Sequence, residues 1–326
     1  MSNALILGGT GWLSGRIAQR LLDEGWSVTC LARGGRAAPD GAELVTGDRD
    51  DRDAYASVAA RDWDHVIDVS SRADHVIAAV EALGDRARRW TYVSSMSVYA
   101  DDVTEVADES APLHPPAEPG DEYDYARQKV AAERAVGTIG DRALIVRPGL
   151  IVGPGDPSDR FGYWAAAFLR AGDEPVLIPP TSGRSCQVID VDDVASSVVA
   201  SAATGVVNAI GDRHPLREVL EVMRTAAAHS GAVVEADEDR LVAEGVAYWA
   251  GERSLPLWLP ADMTGFMSRS HAAFAAAGGT LRPLADTVAD VVSDERARGV
   301  GRDRAAGLTR AEELDFLAAW GREELR

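Results

Sequence analysis

Three observations predict an α/β fold in which a doubly wound parallel sheet is followed by a smaller mixed C-terminal domain. Short apolar runs without polar alternation, as strands buried on both faces require, recur from Asn3 to Ile210 and alternate with helix-length segments. The first run, Asn3-Ala4-Leu5-Ile6-Leu7, feeds a glycine-rich turn, Gly8-Gly9-Thr10-Gly11-Trp12-Leu13-Ser14-Gly15, that opens a helix. The chain has 326 residues, 46% hydrophobic and 26% charged, which suits one large or two closely joined globular domains with an ample core.

In chain order, the first strand and its turn lead into a helix over Trp12 to Glu24, stopped by Gly25, and a second strand over Ser27 to Ala32. Strand, glycine turn, helix and strand form the first half of a mononucleotide-binding unit, whose glycines let the backbone approach a pyrophosphate at the helix N-terminus. The sheet is therefore read as Rossmann-type, with Gly8, Thr10, Gly11, Trp12, Leu13 and Gly15 as cofactor-binding candidates. Ser14 stands where a third glycine would fall and is small enough for close helix packing.

The end of the second strand bears on which dinucleotide fits. An NAD-type fold wants a carboxylate there for the ribose 2′-hydroxyl. The chain reads Ala32-Arg33-Gly34-Gly35-Arg36, with no carboxylate and two arginines able to hold a 2′-phosphate, so NADP is favoured and NAD remains open. A third strand, Glu43 to Thr46, precedes Asp48, a candidate acceptor for an adenine amino group; Asp50 or Asp51 is expected to cap a following helix. A fourth strand, His65 to Val69, ends at Ser70-Ser71, and a fifth, Trp90 to Ser94, runs into Ser95-Met96-Ser97-Val98-Tyr99. Those strand ends face the edge where doubly wound sheets bind ligands.

Farther on stands Tyr125-Ala126-Arg127-Gln128-Lys129. Residues four apart on a helix share one face, so the phenol and the ammonium can address one small volume. Lys129 is the only lysine in a chain whose other cationic side chains are arginines. The Asp121-Glu122-Tyr123-Asp124 run before it is read as a solvated first helical turn that suits the helix dipole.

With these residues in place the chain resembles an extended short-chain dehydrogenase/reductase, the superfamily that contains the NAD-dependent epimerases and dehydratases. The resemblance runs from the glycine turn through the serine-rich strand end and Tyr125-x-x-x-Lys129. It continues through Arg147-Pro148-Gly149-Leu150-Ile151-Val152-Gly153-Pro154-Gly155 and Val188-Ile189-Asp190-Val191-Asp192-Asp193-Val194-Ala195. It implies that Ser95, with Ser94 as fallback, polarises a substrate carbonyl, that Tyr125 exchanges a proton with its oxygen, and that Lys129 also holds the nicotinamide ribose. Ser70, at a strand's carboxyl end, is a cofactor-binding candidate, and the resemblance further implies Pro148 and Leu150 in a segment whose backbone meets the carboxamide. A free tyrosine titrates near about 10, and a neighbouring ammonium favours its phenolate, drawing it toward the working range.

The domain reading is a dinucleotide-binding domain over 1–150, joined again by 186–210, and a mainly substrate-binding domain with C-terminal helices over 151–326. In the latter, helices are expected near Phe161 to Ala171, Leu216 to Ala228, Asp237 to Glu244, Ser270 to Ala277 and Leu284 to Ala297. Gly299 to Ala306 reads as a linker, and Thr309-Arg310-Ala311-Glu312 as a capping-box start of a last helix through Trp320. Trp164, Trp249 and Trp258 are read as core before pocket walls.

A net charge of −19 opposes a nucleic-acid interface, and no run of about 18 apolar residues suggests a membrane span. A first strand beginning by Asn3 leaves no room for a signal peptide, and Cys30 and Cys186 read as buried reduced thiols, so the expected location is the cytoplasm. His114, His214, His229 and His271 show no ligand spacing, and no metal is expected. The function expected is an NAD(P)-dependent reductase or dehydrogenase acting on a small-molecule substrate. A nucleotide-sugar epimerase or dehydratase and a non-catalytic dinucleotide sensor are the alternatives. A homodimer is compatible with the sequence, though no motif specifies one.

Overall fold

The computed structural model describes residues 2–51 and 53–323, with side chains described through residue 319. The chain runs β1 (Asn3–Leu7), α1 (Trp12–Asp23), β2 (Ser27–Ala32), β3 (Glu43–Thr46), β4 (His65–Asp68), α2 (Ala73–Leu83) and β5 (Trp90–Val93). It continues with α3 (Tyr125–Gly137), β6 (Ala143–Pro148), β7 (Leu150–Val152), α4 (Arg160–Ala171), β8 (Val176–Ile178), β9 (Ser185–Asp190), α5 (Val191–Ala200) and β10 (Gly205–Ala209). The remainder is β11 (Arg213–Pro215), α6 (Leu216–Ala226), β12 (Val233–Glu235), α7 (Glu238–Ala243), β13 (Ala247–Trp249), β14 (Ser254–Pro256), α8 (Ala272–Ala276), α9 (Leu284–Arg298) and α10 (Arg310–Glu323).

Two compact units divide these elements. The first comprises Met1–Ile151, Val191–Gly211 and Arg269–Leu281. Its seven strands pair in the order β10-β6-β5-β4-β1-β2-β3, all parallel. The order reverses beside β1: β2 and β3 extend the sheet one way, and β4, β5, β6 and β10 the other. That reversal opens a crevice at the carboxyl ends of β1 and β4. Helices cover both faces, α1 against α5 and α2 against α3. Such cover explains why β1, β4, β5 and β6 are almost wholly buried and mainly apolar without polar alternation, the buried His65, Asp68, Thr91 and Arg147 being the polar exceptions. Trp63, Trp90, Tyr92 and Tyr55 are the largest side chains of the core cluster that also holds Val76 and Ala79 of α2 and Ala132 and Val136 of α3.

Local chemistry sets the turns that matter for the site. α1 ends in a Schellman arrangement: Gly25, at φ +80°, donates to the Leu22 carbonyl at 2.9 Å, and Trp26 donates to that of Leu21 at 3.0 Å. At the other end of α1 the buried Ser14 hydroxyl donates to the Gly8 carbonyl at 2.6 Å and accepts the Gly11 N–H at 3.0 Å. The serine that replaces a third glycine therefore ties the turn to its helix.

Two expectations are corrected. No helix follows β3 among the described residues: 53–60 form successive turns, so neither Asp50 nor Asp51 is a helix cap. The Asp50 carboxylate instead accepts His75 Nε2 at 2.8 Å and pairs with Arg72 at 2.9 Å. The Asp121–Asp124 run lies ahead of α3, not in its first turn. Asp124 is the N-cap, accepting the Arg127 N–H at 2.9 Å, and Asp121 pairs with the Arg127 guanidinium at 2.7 Å.

The second unit comprises Val152–Asp190, Asp212–Ser268 and Arg282–Arg326. There α4, α6 and α9 pack together, and small ladders join β8 to β12, β9 to β11 and β13 to β14. Trp164 and Trp258 are fully buried core, while Trp249 is half-buried. The capping box forms: Thr309 N–H and hydroxyl donate to Glu312 at 2.8 Å each, and Glu312 N–H returns to the Thr309 hydroxyl at 3.3 Å. Among the described residues no helix is long and apolar enough to cross a membrane.

Gly9 is the tightest point of the phosphate-type turn, since a Cβ there would lie 2.5 Å from Cys30 Sγ and 2.7 Å from Cys30 Cβ. Gly9→Ala should therefore push β2 away from the turn and destabilise the protein by about 1–3 kcal/mol, read as a lower denaturation midpoint; an unchanged midpoint would contradict this packing.

Candidate active site

A groove of about 820 Å³ lies within the first unit at the carboxyl ends of β1 to β4. Of the residues expected to bind a cofactor, Gly8, Thr10, Gly11, Arg33, Asp48 and Ser70 line it. The first turn of α1 holds no acidic residue, so the positive end of the helix dipole is left uncompensated by its own side chains. Gly8 takes φ +87°, a conformation that suits glycine, whereas an added Cβ at Gly15 would meet nothing within 4 Å. Trp12 and Leu13 begin α1, half-buried. Pro148 and Leu150 are buried at the end of β6 and the start of β7 and do not line this groove, because the carbonyl edge they belong to lies beyond β5 in the strand order.

The arginines of the groove fall into two kinds. Arg33 and Arg36 are exposed, and neither has a hydrogen-bond or ion-pair partner among the described residues. Arg49 is fully engaged: Nη1 and Nη2 donate to Asp68 at 2.9 and 2.6 Å, Nη2 also to the His75 carbonyl at 2.8 Å, and Nε to the Tyr55 hydroxyl at 2.8 Å. The Asp68 side chain is 0% exposed and Arg49's 8%, so the pair is a fork held out of water. One group with ligand spacing occurs among the described residues, Asp50, Asp74 and His75, whose ligand atoms lie within 4.8 Å of one another. Arg72 already pairs with both of its carboxylates, at 2.9 and 2.6 Å.

Lys129 is buried on the inner face of α3, one turn from Tyr125, which opens the helix and is 42% exposed. Its Nζ donates to the Ser70 carbonyl at 2.8 Å and to the Val93 carbonyl at 2.7 Å, and lies 4.7 Å from the Tyr92 ring centroid and 5.9 Å from that of Tyr125. Tyr92 also donates its hydroxyl to the Ser70 carbonyl, at 3.0 Å. One turn beyond Lys129, the buried Glu133 forks onto Arg147 at 2.9 and 2.6 Å, and Arg147 Nη1 donates to the Tyr99 hydroxyl at 2.9 Å. Tyr99 in turn donates to Asn208 of β10 at 2.6 Å.

The two serines at the end of β5 differ. Ser94 is buried and gives its hydroxyl proton to Glu133 at 2.5 Å. Ser95 is half-buried; its Oγ accepts the Ser97 N–H and donates to the Ser97 hydroxyl, both at 3.1 Å. Sequence reasoning missed Asp68, Arg49 and the Glu133–Arg147 pair. A carboxylate closing the apolar run His65-Val66-Ile67-Asp68 and a glutamate one turn past a buried lysine are signals that could have found them.

Burial of its ammonium pulls Lys129 from 10.5 down to about 7, although Asp68 and Glu133 favour the charged form. Below about pH 7 folded and unfolded chains both carry this proton and the full cost of burial applies; between about 7 and 10.5 only the unfolded chain binds it, so this group stabilises the fold progressively as pH rises. The stability difference between wild type and Lys129→Met should therefore move by about 2 kcal/mol in favour of wild type from pH 7 to pH 9, measured by chemical denaturation; a pH-independent difference would contradict it.

The family model described as the NAD dependent epimerase/dehydratase family matches residues 4–211, more than half of the chain. The chain is 29% identical over 246 residues to the ceramide reductase of Caulobacter vibrioides, covering 70% of each. It is also 29% identical over 234 residues to a 3-diazoavenalumate denitrifying reductase of a Streptomyces species, covering 64% of this chain and 75% of that one. Among solved structures, the UDP-glucose 4-epimerase of Thermus thermophilus in complex with NAD superposes with a TM-score of 0.64 at 18% identity, over 91% of this chain and all of that one, which establishes a shared fold. A glycine turn at the head of a seven-stranded parallel sheet and a family match spanning most of the first unit agree: the chain is an enzyme and belongs to the NAD dependent epimerase/dehydratase family.

Proposed function

We propose that the chain is an NADP-preferring reductase of a carbonyl compound smaller or less charged than a nucleotide sugar, with Ser95, Tyr125 and Lys129 as its acid–base group. The observation that carries this reading is the single lysine of the chain, buried one helical turn from an exposed tyrosine at the edge where the sheet presents its ligand crevice. Two of its donors are committed to backbone carbonyls, and among the described residues the third has no protein acceptor.

The residues present fit a nicotinamide dinucleotide. The turn from Gly8 to Gly15 would hold the pyrophosphate on the α1 N-terminus, Arg33 and Arg36 a 2′-phosphate, Asp48 the adenine amino group, and the remaining donor of Lys129 a ribose hydroxyl. When bound, the dinucleotide supplies hydride-transfer chemistry. Ser95 donates a hydrogen bond to the substrate carbonyl oxygen, and Tyr125 gives that oxygen a proton in reduction and recovers it in the reverse direction. The Lys129 ammonium favours the phenolate left behind.

Likeness to two reductases supports reduction. Arg184, the first cation ahead of the segment where a nucleotide-sugar diphosphate is expected in the sequence, supports the smaller substrate. Its guanidinium is already given to Glu238 at 2.6 Å and to the Leu259 carbonyl at 2.9 Å, with 9% of the side chain exposed. Two buried free thiols, which burial pushes up to about 11 at Cys30 and about 12 at Cys186, support a reducing compartment, the cytoplasm.

Calorimetric titration with NADP, NADPH, NAD and NADH tests the cofactor reading: NADP forms should bind more tightly, and Arg33→Ala should reduce that preference by about tenfold, the worth of one charge-assisted hydrogen bond. An unchanged ratio would remove Arg33 from the account. NADPH oxidation against a panel of uncharged aldehydes and ketones tests the chemistry. Tyr125→Phe should abolish turnover with cofactor affinity intact, and Lys129→Arg should lose at least about tenfold because a planar fork cannot reproduce the ammonium's contacts. Full activity in either variant would sink the assignment.

A further inference from the structure

We propose that Arg49 and Asp68 form a positioning pair for Lys129, acting on it through the Ser70 backbone and through the buried charge of Asp68. This deepens the reading of Lys129 as part of the acid–base group and rests on that reading for its purpose, though not for its geometry. The path is continuous. Arg49 forks onto Asp68; Asp68 Oδ1 also accepts the Ser70 N–H at 2.9 Å; the Ser70 carbonyl receives Lys129 Nζ at 2.8 Å. The Tyr92 hydroxyl pins the same carbonyl from β5. Ser70, just past the end of β4, is thus held at both its N–H and its C=O, and the lysine rests on the result.

Arg49 lines the dinucleotide groove, yet its engagement argues against a ligand-binding role. Its Nε and both Nη atoms already donate to protein acceptors, whereas Arg33 and Arg36 have none among the described residues. Its fork neutralises and orients Asp68, whose side chain is 0% exposed. The groups facing Lys129 are Asp68 from β4, Glu133 and Tyr125 from α3, and Tyr92 from β5; Arg49 and Arg147 pair the two carboxylates. The Asp68 charge favours the ammonium, and the Arg49 charge opposes that attraction. Removing one or the other should therefore act on Lys129 in opposite directions, which simple loosening of the structure would not do.

Because Lys129 is the sole lysine, full-length protein labelled with [13Cε]lysine gives one side-chain signal that titrates with it, without cofactor or substrate. Wild type should titrate near 7. Asp68→Asn, which keeps an acceptor for the Ser70 N–H, should titrate lower by at least about half a pH unit, a roughly threefold change in the ionisation equilibrium, and Arg49→Gln higher by a similar amount. The double variant, which buries no charge at this point, should fall between the two single variants. If leaving one charge unpaired prevents a single variant from folding, the other single variant against wild type, or against the double variant, carries the same ordering. Coincident titrations, or shifts of one sign in both single variants, would overturn the proposal. Failure of the reductase assays with this ordering intact would sink the catalytic reading alone.

Discussion

The first unit is arranged around an ammonium removed from water. Lys129 gives two hydrogen bonds to backbone carbonyls, those of Ser70 after β4 and of Val93 at the end of β5, so its place depends on two neighbouring strands ending in register. A charge in that position is costly unless its surroundings answer it. Two buried carboxylates do so at a distance, and each is itself forked by an arginine, Asp68 by Arg49 and Glu133 by Arg147. Removing any one of the four partners leaves an uncompensated buried charge.

The second pair extends this order to the edge of the sheet. Arg147 lies on β6, its guanidinium carbon 4.9 Å from the Tyr99 ring centroid, and that of Arg269 lies 4.1 Å from the same centroid. The Tyr99 hydroxyl reaches Asn208 on β10, whose side-chain amide donates to the Ser270 carbonyl at 3.2 Å. Segments far apart in sequence, Val191–Gly211 and Arg269–Leu281, are thereby tied to the unit that holds the site. The same network holds the buried Ser94 hydroxyl, while Ser95 is half-buried at the strand end.

A net charge of −19 disfavours anions at long range, but charge acts locally once carboxylates are paired. Around the groove, Asp68 is neutralised by Arg49, and Asp50 and Asp74 by Arg72, while Arg33 and Arg36 are left without carboxylates among the described residues. With no acid in the first turn of α1, the glycine turn and these two guanidiniums make a locally positive strip on an acidic protein.

The sequence by itself determined the parallel sheet, the glycine turn, the helix that places Tyr125 and Lys129 one turn apart, and the absence of a carboxylate after β2. Each is written in short-range pattern: apolar runs for strands buried on both faces, glycine before a helix, a spacing of four on one helix. Asp68, Arg49, Glu133 and Arg147 were not legible as partners, because they lie 19 and 14 residues apart and meet only when β4, α3 and β6 pack. The expected helix cap at Asp50 or Asp51 failed because 53–60 form turns instead of a helix, and the Asp50 carboxylate pairs with His75 and Arg72 from the start of α2. Ser95 and its fallback Ser94 are adjacent in sequence but differ in space: Ser94 is buried against Glu133, and Ser95 is half-buried beside Ser97. Local pattern selects elements; which charges are buried, and by whom they are answered, is decided by tertiary packing, where desolvation makes every unpaired group expensive.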